Sequence, residues 1–259
     1  MPNRSVLITG ASSGIGAACT ARLAAAGWHV YAGVRKAGDA PAGATELILD
    51  VTDPEAIAAL EFDRLDGLVN NAGIAVAAPL EDLPLDELRR QLEVNLVGQV
   101  SITQALLPAL RAASGRIVIV GSIAGRSALP FLGAYAISKF ALEAMADSLR
   151  LELQPDGIEV ALVEPGTIAT PIWTKPQPLA DVVSERYRAR IEAFRVLAAA
   201  RAKKAAPADR VAQAVEHALT SARPKTRYLV GRDAKIRAAI ERLPDRLRDR
   251  VLARALLGR

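Results

Sequence analysis

Residues 5–16 read Ser-Val-Leu-Ile-Thr-Gly-Ala-Ser-Ser-Gly-Ile-Gly, and this stretch decides the fold. Ser5 to Thr9 is short, apolar and β-rich, so it reads as a buried strand. Glycines at 10, 14 and 16 make the next seven residues a turn in which the backbone can approach a ligand closely. From Gly14 to about Ala26 small and helix-forming residues dominate, so the turn opens a helix. The free N–H groups and dipole of a helix start suit a pyrophosphate, which points to Gly10, Ser12, Ser13, Gly14, Ile15 and Gly16 as its cradle. The spacing G-x-x-x-G-x-G departs from the G-x-G-x-x-G fingerprint, but the strand, turn and helix context is the one that gives such a motif meaning.

The chain then alternates. Strands are expected at Trp28 to Val34, Glu46 to Leu49, Leu65 to Val69, Arg116 to Val120, Ile158 to Val163 and Arg227 to Val230. Helices are expected from Pro54 to about Leu60, from Leu85 to Leu110, from Gly133 to the turn at Pro155-Asp156-Gly157, from Asp181 to Lys204 and from Pro207 to Ala222. The long helix from Leu85 carries apolar residues at Leu88, Leu92, Leu96 and Val100 and is interrupted by Asn95. This alternation gives an α/β fold, a doubly wound, seven-stranded parallel sheet of Rossmann type with helices on both faces, in a single domain.

Ser122 ends the apolar run 116–120, Tyr135 follows thirteen residues later, and Lys139 four residues after that. Tyr135 and Lys139 share one face of the first helical turns. An ammonium beside a phenol favours the phenolate, so Lys139 is expected to draw the tyrosine down from about 10 toward working pH. Such a phenol can exchange a proton with a substrate oxygen.

Thr9-Gly-Ala-Ser-Ser-Gly-Ile-Gly16, Asn70-Asn71-Ala72-Gly73, Ser122, Tyr135-x-x-x-Lys139 and Pro165-Gly166 together resemble the short-chain dehydrogenase/reductase family, over the chain from Val6 to about Val230. The resemblance implies hydride transfer between a nicotinamide cofactor and a carbonyl or secondary alcohol. It implies that Tyr135 is the proton donor and Ser122 holds the reacting oxygen. Lys139 would lower the tyrosine pKa and bind the nicotinamide ribose, and Asn95 would hold a water beside that lysine. It places Asp50 and Val51 at the adenine, Asn71, Ala72 and Gly73 along the cofactor, and Pro165, Gly166, Ile168 and Thr170 on the nicotinamide side. Arg35 matches the position of the family's 2′-phosphate-binding arginine, so NADP(H) is the preferred cofactor and NAD(H) the alternative. The segments Glu164-Pro-Gly and Pro224 to Gly231 more loosely resemble the branch of retinol, hydroxysteroid and hydroxybutyrate dehydrogenases.

Of 259 residues, 51% are apolar and 24% charged, which fits one large globular domain. The single cysteine, Cys19, leaves no intramolecular disulfide, and two distant histidines give no metal site. The first strand begins too early for a signal peptide and no apolar run is long enough to span a bilayer, so a cytoplasmic setting is expected. The domain is taken as residues 1–231, with a lid over 174–206 carrying Tyr187 and Phe194. Ile172, Trp173, Phe131 and Leu132 lie beside it in the reading, and these side chains suggest a lipophilic substrate. Residues 201–259 hold 16 Lys and Arg against 6 Asp and Glu. The tail, 232–259, is expected as a basic helical pair broken at Pro244 and packed on the domain or a partner subunit rather than on a membrane. A homodimer or homotetramer acting on a small ketone or alcohol, with no nucleic-acid partner, is the expectation. A cofactor-sensing regulator without catalysis, or a binder of nucleic acid or anionic membranes, is the competing class. The first would be expected to have lost one of Ser122, Tyr135 and Lys139; all three are present.

Overall fold

The computed structural model describes residues 4–173 and 183–257. Within them the chain runs β1 (Ser5–Thr9), α1 (Gly14–Ala25), β2 (His29–Val34), β3 (Thr45–Ile48), α2 (Pro54–Ala58), β4 (Gly67–Asn70), α3 (Leu85–Leu92), α4 (Gly98–Ala113), β5 (Arg116–Val120), α5 (Gly133–Glu152), β6 (Glu159–Pro165), α6 (Glu185–Ala202), α7 (Asp209–Thr220), β7 (Arg227–Val230), α8 (Arg232–Ile240) and α9 (Asp245–Leu257). The strands form one parallel sheet in the order β3-β2-β1-β4-β5-β6-β7. The order reverses between β1 and β4, and in such sheets ligands bind outside the carboxyl ends of the strands at that reversal.

Side-chain alternation sorts the core into two layers. Val6 and Ile8, Val118 and Val120, and Ala161 and Val163 face α1 and α7, where they pack with Leu23, Val211 and Val215. Leu7, Ile117, Ile119, Val160 and Leu162 face the other side and pack with Ile102, Leu106, Leu110 and Leu142 of α4 and α5. Both faces of every central strand are thus covered, which is why these strands read as continuous apolar runs. Strand ends differ from the expected bounds by one or two residues, as β4 begins at Gly67 and β6 extends to Pro165.

The long helix from Leu85 departs from its expected form in two ways. It is not uniformly α: Glu93–Val97 is a π turn between α3 and α4, with Asn95 at its centre. Its most buried row is also not the apolar one, since Leu88, Leu92, Leu96 and Val100 are only half-buried. Between residues 85 and 100 the side chains with no exposure are instead Gln91, Asn95 and Gln99, and Thr103 continues their row at 1%. Their partner explains this. Residues 71–77 leave the sheet without a strand beside them, and the groups that such a segment buries must find partners elsewhere. Gln91 Oε1 accepts from Val76 N at 2.8 Å and its Nε2 donates to Ile74 O at 2.7 Å. Asn95 Oδ1 accepts from Ile74 N at 2.8 Å and its Nδ2 donates to Ile74 O at 3.0 Å. Gln99 Nε2 donates to Ala72 O at 3.0 Å, and Thr103 Oγ1 accepts from Asn70 Nδ2 at 2.8 Å. Steps of four advance about 400° in an α-helix, so such a row drifts around the axis. The wider π turn offsets part of that drift and keeps the four in line.

The tail is a helical pair divided at Pro244, with α8 packed on β7 and α9 on α6. Ile236 and Leu247, two members of its apolar stripe, are 50% and 46% exposed. Of the segment expected as a lid, residues 174–182 lie outside those described, as does the side chain of Trp173.

Candidate active site

The glycine-rich turn is held by β4 as much as by its own glycines. Thr9 Oγ1, fully buried, accepts from both Asn71 N and Ala72 N at 3.0 Å. Asn71 Nδ2 returns two bonds, to Thr9 O at 2.9 Å and Gly10 O at 3.1 Å. The space this leaves is too narrow for side chains. A Cβ on Gly16 would lie 2.3 Å from Gly10 O, and one on Gly10, whose φ is +65°, 2.8 Å from the Ala72 Cα. Gly14, at φ +59°, faces Thr170 across the cleft, where a Cβ would come within 3.2 Å of the threonine Cβ. Ser12 and Ser13 are exposed, Ile15 is half-buried, and Ser13 caps α1 by position with no side-chain hydrogen bond to it. The turn therefore presents backbone and hydroxyl donors to the cleft, which fits the phosphates of a dinucleotide.

Around the same carboxyl edge, Arg35 follows β2 and is exposed, as is Lys36. Glu46 closes the loop beyond them, its carboxylate accepting from Gly38 N at 2.9 Å and Ala40 N at 3.2 Å. Asp50 accepts from Thr52 N and Thr52 Oγ1, and Val51 is buried, its carbonyl only 2.4 Å from where a Cβ on Gly98 would stand. Gly73 stands 3.3 Å, measured from a Cβ built on it, from Asn95 Oδ1.

Ser122, Tyr135 and Lys139 converge at the end of β5. Ser122 is extended and starts a 3-10 turn, its Oγ accepting from Ala124 N at 3.1 Å and donating to Pro165 O at 3.5 Å. It also hydrogen-bonds the Tyr135 phenol. Gly125 lets that turn lie against α5, since a Cβ there would be 2.7 Å from Lys139 O. Lys139 is 4% exposed, donates from Nζ to Val120 O at 2.9 Å, and lies 5.7 Å from the centre of the Tyr135 ring. Burial pulls this lysine down to about 8. The tyrosine does not behave as expected in the chain alone: burial pushes its phenol up, and the Ser122 hydrogen bond and the charge of Arg237 pull the other way.

Asn95 reaches this group indirectly. Its Nδ2 also donates to Ser138 Oγ at 3.0 Å, and Ser138 Oγ donates to Tyr135 O at 2.8 Å. The segment after β6 completes the wall: Gly166 N donates to Val230 O, Ile168 is buried and bridges Ala206, and Ile172 packs with Ala75, Ala124 and Tyr135. Phe131, in a left-handed conformation at φ +66°, stacks edge-on with Phe194 at 5.6 Å and Tyr187 at 6.3 Å, joining α6 to the loop before Tyr135. Leu132 bridges Ala78 on the same side.

The sequence profile of the short chain dehydrogenases matches residues 4–178. The chain belongs to the short-chain dehydrogenase/reductase family. It is 36% identical to the NADPH-dependent 3-dehydrocapnine reductase of Ornithobacterium rhinotracheale, over 98% of this chain and 97% of that protein. It is 37% identical to human retinol dehydrogenase 16, over 89% and 81%, which supports the retinol and hydroxysteroid branch. The crystal structure of a Burkholderia cenocepacia short chain dehydrogenase in complex with NADP superposes with a TM-score of 0.77 at 28% identity, covering 96% of this chain and 98% of that one. The family's members are NAD(P)-dependent oxidoreductases, and so is this chain.

Thr9, Gln91, Gln99, Ser138 and Arg237 join the site only in the fold. For Gln91, Gln99 and Thr103 a signal was present in the spacing of four from Asn95. One acid near the site was also unremarked. Glu164, fully buried at the end of β6, is paired with Arg126 and lies against Glu143. Burial first, then Glu143, pushes its carboxyl from 4.5 up to about 7, with Arg126 opposing. The folded chain then holds this proton more tightly than the unfolded chain, so its contribution to stability is complete below about pH 4.5 and is lost as pH rises through about 7. Glu164→Gln is expected to flatten the melting temperature between about pH 5 and pH 8. Parallel curves for variant and wild type would remove Glu164 as the source. Among the described residues no cluster fit to hold a metal is present, and no helix is long and apolar enough to cross a membrane.

Proposed function

We propose that the chain transfers hydride reversibly between NADP(H) and a lipophilic ketone or secondary alcohol. The observation that carries this reading is the convergence of Ser122, Tyr135 and Lys139 on the carboxyl edge of the sheet, the edge that also carries a turn packed so closely at Gly10 and Gly16 that no Cβ would fit. When bound, the nicotinamide supplies or accepts the hydride. Tyr135 gives its phenolic proton to the substrate oxygen or takes it back, and Ser122 donates a hydrogen bond to that oxygen. Lys139 holds Val120 O and stands ready for the ribose, while Asn95 fixes α5 through Ser138 and supports a water relay. Gly10, Ser12, Ser13, Gly14, Ile15 and Gly16 hold the pyrophosphate, Asp50 and Val51 the adenine, and Asn71 to Gly73 with Pro165, Gly166, Ile168 and Thr170 the nicotinamide half. The aromatic contacts of Phe131 with α6 and the packing of Ile172 beside Tyr135 support an apolar substrate under a lid. Ile137 and Phe140 of α5 and Val97 beside it are 43%, 45% and 43% exposed, which supports burial of that face in a homodimer or homotetramer. A cytoplasmic site of action belongs to the same reading.

Preference for NADP(H) rests on Arg35. Arg35 and Lys36 are exposed, and Glu46 across the loop is bonded to the backbone amides of Gly38 and Ala40, while Asp39 is the acid close enough to compete. A charge-assisted hydrogen bond to the 2′-phosphate of about 1.5 to 3 kcal/mol corresponds to roughly 10-fold to 150-fold discrimination. Arg35→Ala should lower the ratio of kcat/KM for NADPH over NADH by that factor. A panel of bulky ketones, alcohols and sugars, assayed with both cofactors, tests the whole reading. A wild type that favours NADH, or one that reduces sugars ahead of every bulky ketone, would contradict it.

A further inference from the structure

Residues 165–170 run between two parts of the cleft. At one end Pro165 O accepts from Ser122 Oγ at 3.5 Å, and at the other Thr170 faces Gly14 of the glycine-rich turn. The backbone groups of a segment that leaves a sheet must find partners outside it. Neighbouring main chain supplies some of them: Gly166 N donates to Val230 O at 2.9 Å, Thr167 O accepts from Ala206 N at 3.0 Å, and Ala169 N donates to Ala206 O at 2.9 Å. Thr167 N is held by a side chain instead. It donates to Asp233 Oδ2 at 2.6 Å, from a residue 66 positions further along the chain.

Asp233 stands in the first turn of α8, where a carboxylate also suits the helix dipole. That helix is firmly seated, since Ala234 is fully buried and Arg237 Nη2 donates to Ser127 O, just past the 3-10 turn that Ser122 starts. The carboxylate therefore meets the segment after β6 from a helix that is also tied to the loop after β5. Two glycines make room for it. A Cβ on Gly166 would overlap Asp233 Oδ1, and one on Gly231 would stand 2.7 Å from the same oxygen. Gly166 is not among the glycines with positive φ, so what demands glycine there is the carboxylate and not the backbone conformation.

We propose that Asp233 is a positioning residue for residues 166–170: from the tail helix its carboxylate fixes the backbone that lines the nicotinamide. The proposal rests on the reading that this segment takes the nicotinamide half of the cofactor. Its test needs no turnover: calorimetry compares the binding of NADPH with that of 2′-phospho-ADP-ribose, which lacks the nicotinamide. Asp233→Ala should raise the Kd for NADPH about tenfold, the low end for one hydrogen bond to a charged group, and leave the Kd for the fragment unchanged. Asp233→Asn keeps an acceptor for Thr167 N and should restore most of the NADPH affinity. Gly166→Ala should reproduce the loss by displacing the carboxylate, and should add little in the Asp233→Ala background. Equal weakening of NADPH and the fragment, an Asp233→Asn variant as weak as Asp233→Ala, or losses from Gly166→Ala and Asp233→Ala that simply add would overturn the proposal. If Asp233→Ala fails to fold, Asp233→Asn and Gly166→Ala decide it by the same comparison of ligands. Amide exchange of the wild type checks the reading beneath: if NADPH protects residues 166–170 no better than the fragment does, the nicotinamide lies elsewhere and the proposal falls with that reading.

Discussion

Tyr135→Phe is expected to lower turnover by about 100-fold to 10,000-fold, the range lost with a positioned acid or base, and to leave cofactor affinity largely intact. The ring packs among Ala75, Ala124 and Ile172, and phenylalanine keeps every one of those contacts. What disappears is the hydroxyl that Ser122 holds and that burial keeps protonated. Melting temperature should therefore change little, because the variant also removes the cost of burying a polar group. Single-turnover rates, with cofactor binding followed by fluorescence, separate the two effects. A variant that turns over near the wild-type rate would sink the assignment of Tyr135.

Ser122→Ala carries the second-largest expected loss. A donor aimed at a developing oxyanion contributes about 100-fold to 1,000-fold in kcat. The same hydroxyl caps the 3-10 turn through Ala124 N, and loss of a cap costs about 1 kcal/mol of stability. The two losses can be told apart with Ser122→Thr, which keeps a hydroxyl for both tasks. If Ser122→Ala lost stability alone and kept its kcat, the residue would be a cap and no more.

The number and places of the strands and the positions of Ser122, Tyr135 and Lys139 could be read from sequence because each leaves a local mark, whereas the order of the strands in the sheet could not. Strands buried on both faces are uninterrupted apolar runs, and backbone that comes close to its neighbours requires glycine, as at Gly10 and Gly16. What could not be read depends on long-range partners. Gln91 and Gln99 resemble surface positions of an amphipathic helix until the loop after β4 is laid beside them. Leu88 and Leu92 satisfied the expected apolar row equally well, and periodicity has no means of ranking the two faces. Arg237 sits in a run of basic residues, where one buried arginine looks like its solvated neighbours. The electrostatics of Tyr135 are hidden for a related reason. Sequence shows that a lysine lies one turn away, but not that the fold buries the phenol and so pushes its pKa up.

The row of amides has a consequence for how specificity can change by inheritance. On the loop, Gln91, Asn95 and Gln99 grip main-chain atoms of residues 72, 74 and 76, so the grip is indifferent to which side chains that loop carries. Position 75 packs against the tyrosine ring and Ile172, on the wall where a substrate would rest. A lineage can therefore exchange the side chain there, one mutation at a time, without loosening the loop that presents it. The glutamines on the helix have no such freedom, because a change at Gln91 releases Val76 N and a change at Gln99 releases Ala72 O. Novelty is thus allowed on one strand of the contact and forbidden on the other, an arrangement in which new substrates can be tried while the catalytic frame stays put.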